Sequence, residues 1–459
     1  EAYRKGKRKL NQDLVYTDLS SRAMVEKAVE ELKNSGLSED ELKQVTVVMV
    51  EEGRHALALL SAARFDHPAK KLVMIGVTGT KGKTTTTHMI RAILLAAGKK
   101  GGMIGTTGTV IGDVVTPTLN TTPESYELHQ AFAQMVEAGC EYAVMEVSSQ
   151  GIKMHRTDGL YFNYAIFTNI SPDHIGPGEH ADFEEYLYYK TRLLNMCGIG
   201  LVNKDDEHAP QIIKAANCEL YTYSEESKEA DFVASDIRYV SQPDFVGTEF
   251  HISGKYDMEV RLGIPGLFNV VNALAAVSVC SFLGLDQARI SHALENIRVN
   301  GRMEIVYTSE RCTVLVDYAH NAVSMESLLS TLRDYKPKRL VCVFGCGGNR
   351  SKDRRYSMGE IGGKMADLSI ITADNSRYEK VEDIIADIRG SIEKTGGKFI
   401  EIPDRREAIR YSILHAQPGD MVAVIGKGHE DYQEINGVRH HFLDREVIEE
   451  TVKELGEKA

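Results

Sequence analysis

Apolar runs bounded by glycine and polar residues recur along most of the chain. Residues 71–77 (KLVMIGV) predict a buried strand, and beyond a glycine-rich turn the apolar positions of residues 89–94 follow a helical period. Similar runs predict strands at residues 141–147, 162–168 and 198–203. Strands that alternate with helices are typical of a parallel sheet with helices on both faces, so the pattern predicts an α/β fold.

Two later stretches follow other patterns. Within residues 230–265, apolar and polar positions alternate around a Ser-Gly-Lys turn, which predicts a hairpin beside the main sheet. From residue 301 a second α/β series begins, which predicts a separate doubly wound domain. Its predicted strands are residues 312–317, 339–345, 366–373 and 420–426.

The front of the chain looks different again. Residues 1–70 are predicted to be helical and polar, with the clearest amphipathic helix over residues 20–44 and a helix start at Ser20-Ser21. The pattern as a whole therefore predicts three domains: an N-terminal segment (1–70), a central domain (71–300) and a C-terminal domain (301–459). A length of 459 residues agrees with this number, at roughly 150 residues per domain.

Composition excludes several classes of protein. The formal net charge of −12 argues against a nucleic-acid partner, which would need a basic face. The seven cysteines are odd in number and scattered, so no disulfide framework is predicted, and Cys342 and Cys346 lack a second pair that would complete a zinc site. The chain has no apolar run of about 18 residues and no visible signal peptide, so we expect a cytoplasmic protein without a membrane partner. It does not begin with Met, so a truncated N-terminus is one interpretation of its unusual front end.

The glycine-rich turn carries the first candidate chemistry. Residues 76–90 read GVTGTKGKTTTTHMI, a shortened form of the phosphate loop, between a predicted strand and a predicted helix. Its glycines let backbone N–H groups face phosphates, and the helix N-terminus adds a positive dipole end. Lys83 is placed to reach the outer phosphates of ATP, and Thr84 is the natural Mg²⁺ ligand. The predicted nucleotide-binding residues of the loop are Gly79, Thr80, Lys81, Gly82, Lys83, Thr84 and Thr85. A glycine-rich loop without a ligand is the plain structural alternative.

The loop TGTKGKTT resembles that of the Mur ligases, the amide-forming ligases of peptidoglycan precursor synthesis. Further segments repeat this resemblance in order along roughly residues 50–450: NTTPE, MEVSSQG, FTNISPDHI, YLYYK, GLFNVVNALAA, NGRME, DYAHN, FGCGGNR, DNSR and GKGHE. The resemblance implies a three-domain architecture, with a central P-loop parallel-sheet ATPase domain and a C-terminal Rossmann-like domain. Within the family, GKGHE, DNSR and TTPE resemble the ligases that add the third residue of the peptide.

The family reaction implies roles for several residues. A carboxylate is phosphorylated by ATP to an acyl phosphate, which an amine then attacks, and Mg²⁺ and lysines must neutralise the meeting of two anions. By resemblance, Glu146 holds Mg²⁺ with Thr84, while a carbamylated Lys190 and either His180 or His174 hold a second ion. Burial near cations should lower the pKa of such a lysine, which exposes the neutral amine that reacts with CO₂. The structural alternatives are a solvated or capping Glu146 and a surface Lys190. The predicted catalytic set is Lys83, Glu146, His180 and Lys190.

The resemblance also implies residues that bind ATP and the carrier. Asn272, Arg302 and Asp317 are the implied nucleotide contacts, although Asp317 and His320 could equally be capping and core residues. The implied contacts to a UDP-linked muramoyl peptide are Thr121, Thr122, Ser148 and Arg156. Two positions depart from the family pattern: Gln150 replaces a histidine, which puts the metal or substrate geometry in question, and Ala322 replaces a proline, which concerns loop stiffness.

The amino-acid pocket is implied by DNSR and GKGHE. Arg377 would hold the far carboxylate of meso-diaminopimelate bidentately, and Glu430 would meet the distal ammonium. The predicted residues of this pocket are Asp374, Asn375, Arg377, Gly426 and Glu430, together with His429. Ser376 stands where the diaminopimelate-adding members have proline. This pattern favours diaminopimelate over lysine.

The leading hypothesis is a monomeric ligase that uses ATP and Mg²⁺ to add a diamino acid to UDP-N-acetylmuramoyl-L-Ala-D-Glu. A lysine-adding enzyme or a pseudomurein-type ligase with another carrier stays open, because fewer residues precede the loop than in the family. A P-loop NTPase without amide formation and a regulatory nucleotide-binding protein are remoter alternatives. Phosphate release that strictly requires an amino acid separates the ligase from both.

Overall fold

The computed structural model describes residues 14–18 and 46–456, together with the single positions 30, 34, 38 and 40. The chain divides into two compact units. The first is formed by Glu1–Thr80, Lys99–Gly200 and Gln211–Leu220, and the second by Lys81–Gly98, Leu201–Pro210 and Tyr221–Ala459. These two units do not correspond to the three domains expected from the sequence, and the boundaries expected near residues 70 and 300 stay predictions.

The strands follow one another along the chain. They are β1 (Leu14–Asp18), β2 (Thr46–Val50), β3 (Val73–Thr78), β4 (Gly101–Gly105), β5 (Gly108–Ile111), β6 (Val114–Thr116), β7 (Tyr142–Glu146), β8 (Phe162–Phe167), β9 (Cys197–Asn203), β10 (Glu219–Ser224), β11 (Phe232–Gln242), β12 (Phe245–Gly254), β13 (Met258–Leu262), β14 (Glu304–Thr308), β15 (Cys312–Asp317), β16 (Arg339–Phe344), β17 (Leu368–Ile371), β18 (Phe399–Glu401), β19 (Asp420–Ile425), β20 (Tyr432–Ile435) and β21 (Val438–His441).

Helices separate most of these strands. They are α1 (Gly53–Arg64), α2 (Lys83–Ala96), α3 (Ser125–Glu137), α4 (Ser149–Lys153), α5 (Phe183–Thr191), α6 (Ala209–Ala215), α7 (Leu267–Phe282), α8 (Gln287–Glu295), α9 (Ala322–Asp334), α10 (Lys352–Met365), α11 (Val381–Thr395), α12 (Arg405–Leu414) and α13 (Asp444–Glu454), with short 3₁₀ turns at Pro68–Lys71 and Arg192–Asn195.

The sheet of the first unit places β3 at its centre. Its strand order is β9-β8-β3-β7-β4-β5-β6, and β3 runs parallel to both of its neighbours. Val77 pairs with Glu146 on one side and with Ile166 on the other. Nearly every residue of β3, β7 and β8 is buried, as their continuous apolar runs predict for strands covered on both faces. The carboxyl ends of these strands share one edge, where parallel sheets bind ligands.

The second unit contains the predicted hairpin. Strands β11, β12 and β13 are antiparallel, and Phe250 and Ile252 of β12 face Val260 and Met258 of β13. Buried and exposed positions alternate along β13 and the end of β12, which agrees with the pattern of the sequence. The hairpin prediction is therefore confirmed.

A second sheet lies in the same unit. Its order is β14-β15-β19-β16-β17-β18, parallel except for the edge strand β14. One face of this sheet packs against apolar residues of α12 and α13. Asp317 pairs with Ile425, so the ends of β15 and β19 lie side by side. The segments DYAHN and GKGHE follow these two ends, which brings two separate motifs to one edge.

The prediction of a helical front segment was partly wrong. The stretch TVVMV (Thr46–Val50) is strand β2, which pairs in parallel with β1, whereas Gly53–Arg64 is helical. β-Branched residues favour extended backbone, and four of the five residues of this run are β-branched. The helix expected over residues 20–44, with its start at Ser20-Ser21, falls almost entirely outside the described residues.

Two other expectations concern the whole chain. All seven cysteines are free thiols. No helix in the described part of the chain is both long enough and apolar enough to cross a membrane.

Candidate functional site

The phosphate loop connects β3 to α2, and two of its glycines cannot be replaced. Gly79 has φ +144° and Gly82 has φ +85°, a region that L side chains rarely adopt. A Cβ on Gly79 would overlap the hydroxyl of Thr168, and one on Gly82 would overlap the amide oxygen of Asn272. The Thr80 N–H donates to the carbonyl of Asn169 at 2.8 Å. The backbone is thus closely packed at both glycines.

Helix α2 begins at Lys83, directly after Gly82, so its positive N-terminal end faces the loop. Lys83 and Thr84 are half-buried, whereas Thr85 is buried. The hydroxyl of Thr86 donates to Asn272 Oδ1 at 3.4 Å. Asn272 therefore supports the loop through both Gly82 and Thr86, a role that its assignment as a nucleotide contact did not include.

Glu146 ends the strand next to β3 and is only 1% exposed. Its Oε1 accepts the N–H of Thr106 at 2.9 Å, and its Oε2 accepts the Thr106 hydroxyl at 3.3 Å. A Cβ on Gly105 would overlap this carboxylate, so glycine is required for its approach. A solvated Glu146 is therefore wrong. A buried, oriented carboxylate at the ligand-binding edge suits a cation.

Lys190 lies in α5, a helix that the Asp182 side chain caps by accepting the N–H of Glu185 at 2.8 Å. It is 2% exposed, and its Nζ donates to the carbonyl of Gly79 in the phosphate loop at 2.7 Å. The same Nζ lies 4.7 Å from the centre of the Tyr186 ring, whose hydroxyl is 3.1 Å from Thr80 Oγ1. Lys190 is thus a buried amine held against the loop, and the surface-lysine alternative is wrong.

Of the two candidate histidines, His180 is buried and His174 is exposed. His180 Nε2 hydrogen-bonds the Ser149 hydroxyl at 2.9 Å, and its ring lies 5.2 Å from that of Tyr186, which also packs on Lys190. Burial, reinforced by the charge of Lys153, lowers the pKa of His180. A lowered pKa favours the neutral imidazole, which is the form that can bind a metal.

The residues expected to contact the carrier gather around the end of β7. The Thr122 hydroxyl donates to the Glu146 carbonyl at 3.0 Å and accepts the Ser148 N–H at 2.9 Å. Arg156 Nη1 donates to the Thr122 carbonyl at 2.9 Å. The Thr121 hydroxyl lies 3.2 Å from that of Thr106, which also binds Glu146. The structure thus joins the expected carrier residues to the buried carboxylate.

A second group of predicted residues meets at the end of β19. Asn375 Nδ2 donates to Glu430 Oε2 at 2.9 Å. Lys427 Nζ lies 3.2 Å from both Asn375 Oδ1 and the same Glu430 oxygen, and it is fully buried. Gly426 has φ +113°, and a Cβ there would lie 2.7 Å from Asp374 Oδ2. Lys427 was not among the residues predicted from the sequence, although it stands in the GKGHE segment. Its burial depends on Asn375, which lies 52 residues away along the chain.

Arg377 is held in an uncommon backbone conformation beside this group. Its φ is +50°, and its N–H donates to the Glu434 carbonyl at 3.0 Å. Its Nη1 donates to the Gly348 carbonyl at 2.6 Å, and its Nε lies 3.7 Å from the Glu434 carboxylate. These contacts engage only part of the five-donor guanidinium, which is partly exposed, so it can still receive a carboxylate.

Hydrogen bonds of Asp317 join the residues just before β14 to those just after β15. Asp317 accepts the N–H groups of Met303 at 2.8 Å and of Ala319 at 2.7 Å, and burial raises its pKa. The Arg302 guanidinium lies 4.8 Å from the centre of the Tyr318 ring. Asp317 therefore has a structural role in holding this backbone, although it caps no helix, and its contact with a nucleotide stays a prediction. His320 has a local structural role, since its Nδ1 donates to the Tyr318 carbonyl at 2.8 Å.

A glycine cradle between a strand and a helix, with a buried carboxylate ending the adjacent strand, is typical of P-loop nucleotide-using enzymes. The chain belongs to the Mur ligase family: residues 77–280 match the Mur ligase middle domain, and residues 301–428 match the Mur ligase glutamate ligase domain. It is accordingly an ATP-dependent ligase, and its α/β Mur ligase fold confirms the architecture expected from the sequence.

Three similar proteins carry the same enzyme name, UDP-N-acetylmuramoyl-L-alanyl-D-glutamate–2,6-diaminopimelate ligase. That of Caldanaerobacter subterraneus subsp. tengcongensis is 40% identical over 416 residues, or 89% of this chain and 84% of the relative. One from Clostridium acetobutylicum is 40% identical over 418 residues, or 90% and 85%. A solved structure of a protein with this name aligns with a TM-score of 0.73 at 31% identity, over 97% of this chain and 92% of that chain.

Proposed function

We propose that the protein uses ATP to join meso-diaminopimelate to UDP-N-acetylmuramoyl-L-alanyl-D-glutamate. The substrates follow from the names of the similar enzymes, which cover nearly the whole chain. The observation that carries the proposal is the buried Lys190 amine, 2.7 Å from the Gly79 carbonyl of the phosphate loop. A plain NTPase loop needs no such amine, whereas a ligase must hold two anions together.

The reaction has two steps. A carboxylate oxygen of the carrier peptide attacks the γ-phosphorus of ATP, and the bond to the β–γ bridging oxygen breaks, giving an acyl phosphate and ADP. The neutral amine of diaminopimelate then attacks the acyl carbon, loses a proton, and expels inorganic phosphate. Lys83 supports the first step by neutralising charge on the phosphates. Thr106 hydrogen-bonds the Glu146 carboxylate and lies beside the Thr121 hydroxyl, so it orients both side chains at the sheet edge before reaction.

The donor set fits Mg²⁺. Glu146 would supply a buried carboxylate to one ion, for which Thr84 is the expected hydroxyl ligand. The amine of Lys190 can add CO₂ and lose a proton, which converts it into a carbamate that would supply an oxygen donor to a second ion, with His180 as the expected imidazole ligand. When bound, Mg²⁺ supplies positive charge that offsets the repulsion between carboxylate and phosphate.

Selection of the amino acid rests on the Arg377 group. A guanidinium binds a carboxylate through two parallel N–H bonds, which lysine as a substrate could not use. Asn375 and Glu430 lie in one hydrogen-bonded cluster with the buried Lys427, and this cluster fixes the direction of the Glu430 carboxylate. A diamino acid with a second carboxylate at its far end fits this combination of a cation and an anion.

Other features of the proposal come from the sequence alone. A monomeric state, a cytoplasmic location and the lack of a nucleic-acid partner stay predictions. A lysine-adding ligase is the alternative that the amino-acid preference would reveal.

The test is phosphate release by the full chain with MgATP, the UDP-muramoyl dipeptide and one amino acid at a time. We expect release to require both the carrier and the amino acid, and to be fastest with meso-diaminopimelate. Release without an amino acid would indicate an NTPase, and a preference for L-lysine would overturn the assigned substrate.

A further inference from the structure

Two histidines and an aspartate converge on one point outside the predicted catalytic set. His55 comes from α1, and His155 and Asp158 come from the turn that follows α4. His55 Nδ1 lies 2.6 Å and His155 Nδ1 lies 2.8 Å from the same oxygen, Asp158 Oδ2. The two rings stand edge to face, with centres 6.3 Å apart. One oxygen therefore receives two imidazoles from segments about a hundred residues apart.

The spacing is that of a ligand set. All the candidate donor atoms lie within 4.8 Å of one another. In a tetrahedral site with bonds of about 2.0–2.2 Å, neighbouring donors are about 3.3 Å apart. An ion at the centre would require small movements of the carboxylate and of the two rings. In the metal-bound form each imidazole would carry its proton on Nε2, so that each Nδ1 lone pair faces the ion.

The backbone at His155 holds this arrangement at a cost. Its φ is +55°, a region that glycine adopts freely and histidine rarely does. The turn is nevertheless closed by the Arg156 N–H, which donates to the Gly151 carbonyl at 2.8 Å. A glycine would form the same turn, so His155→Gly removes the imidazole without straining the backbone.

We propose that His55, His155 and Asp158 bind one divalent transition-metal ion of the zinc class. Two imidazole nitrogens and one carboxylate suit such an ion, whereas Mg²⁺ and Ca²⁺ prefer sites made mostly of oxygen donors. The side chains are 50%, 37% and 20% exposed, so solvent can reach the point of convergence and water can complete the coordination. This ion would be separate from the Mg²⁺ of the proposed reaction and would be bound by different residues.

The bound ion ties α1 to the turn after α4. Arg156 of this turn pairs with Glu124 at 2.8 Å, and Arg54 of α1 pairs with the same carboxylate at 3.4 Å. The metal would add a second link between the same two segments. Its effect is therefore to stiffen the backbone that presents Arg156, a residue expected to contact the carrier.

The test uses the full chain after treatment with a chelator and its removal. Co²⁺ is the spectroscopic probe, because its visible absorption reports nitrogen ligands, and Zn²⁺ is titrated by calorimetry. We expect one ion per chain in the wild type. His155→Gly, which suits the backbone of this turn, and His55→Gln, at an exposed helix position, should each weaken Zn²⁺ binding at least tenfold. Both variants are checked for an unchanged melting temperature in the presence of ADP and Mg²⁺.

A matched control is His251→Gln. His251 also lies near two carboxylates, Glu259 at 3.1 Å and Asp257 at 3.5 Å, but this site has a single histidine. We expect this variant to bind Zn²⁺ as the wild type does. Wild-type protein that binds no ion, equal binding by His55→Gln and wild type, or a loss that His251→Gln shares would overturn the proposal. None of these outcomes depends on ligase activity.

Discussion

Replacing Lys190 with methionine separates the chemical role of its amine from its contribution to folding. Methionine keeps an unbranched apolar side chain of similar length in the buried site and removes only the charged end. The lost contacts are the hydrogen bond to the Gly79 carbonyl and the approach to the Tyr186 ring. If the amine is there for chemistry, the substitution should damage catalysis far more than stability.

The magnitudes can be compared. A hydrogen bond from a charged donor contributes about 1.5–3 kcal/mol, and a desolvated cation–π contact contributes up to about 2 kcal/mol. Burying the ammonium costs several kcal/mol in the opposite direction. These terms nearly cancel, so the free energy of unfolding should change by less than about 2 kcal/mol. Loss of one preorganised charge-stabilising group, in contrast, typically lowers turnover by about 10²–10³-fold.

The assay is amino-acid-dependent phosphate release, with binding of ADP and Mg²⁺ and thermal unfolding measured on the same samples. We expect Lys190→Met to lose on the order of 10² or more in kcat while it still binds ADP. In Lys190→Ala, formate or acetate should restore part of the activity by occupying the vacated space. Lys364→Ala, at an exposed lysine on α10 that pairs with Glu360, is the control and should behave as wild type. Near-normal turnover of Lys190→Met would refute the role, and an equal loss of ADP binding would mean that the lysine only supports the loop.

Three further predictions concern other parts of the molecule. Arg377→Ala should lower kcat/KM for diaminopimelate on the order of 10²-fold and leave lysine, a poor substrate, nearly unaffected, whereas Arg389→Ala on the surface of α11 should change neither rate. Gly82→Ala should abolish ADP binding measured by calorimetry, since its Cβ would overlap the Asn272 side chain at a positive φ; unchanged affinity would contradict the assignment of the cradle. Burial lowers the pKa of His129 from 6.5 to about 4, so between these pH values His129 is protonated in the unfolded chain and neutral in the folded one. Stability should therefore fall by about 3 kcal/mol as the pH drops from 6.5 to 4, and His129→Leu should make denaturant midpoints less dependent on pH in this range.

Much of the fold could be predicted because the deciding signals are local. The runs at 141–147 and 162–168 are continuous and apolar, and they became β7 and β8 on either side of β3. Apolar and polar positions alternate on both sides of the Ser-Gly-Lys sequence at residues 253–255, so the alternation predicted the hairpin, whose strands end at Gly254 and begin again at Met258. The apolar run TVVMV is also typical of a strand, but it is only five residues long and follows a longer stretch of helical pattern, so β2 was not predicted.

The site was harder to predict, because burial and partners are set by distant parts of the chain. Nothing in YLYYK indicates that Lys190 reaches the carbonyl of Gly79, more than a hundred residues away. The role of Lys427 likewise could not be predicted, because its contacts with Asn375 and Glu430 arise only in the folded chain. Ala322 proved simpler: Asn321 caps α9 there, so the missing proline does not prevent the helix from starting.

The central claim is that ATP activates a carboxylate of the carrier as an acyl phosphate. The most direct measurement follows oxygen, using UDP-muramoyl dipeptide labelled with ¹⁸O in its glutamate carboxylates, unlabelled ATP, Mg²⁺ and meso-diaminopimelate. Mass spectrometry should find one ¹⁸O in the released phosphate for each amide formed, because the attacking carboxylate oxygen leaves with phosphorus. Unlabelled phosphate, or ADP formed without a peptide product, would contradict the account.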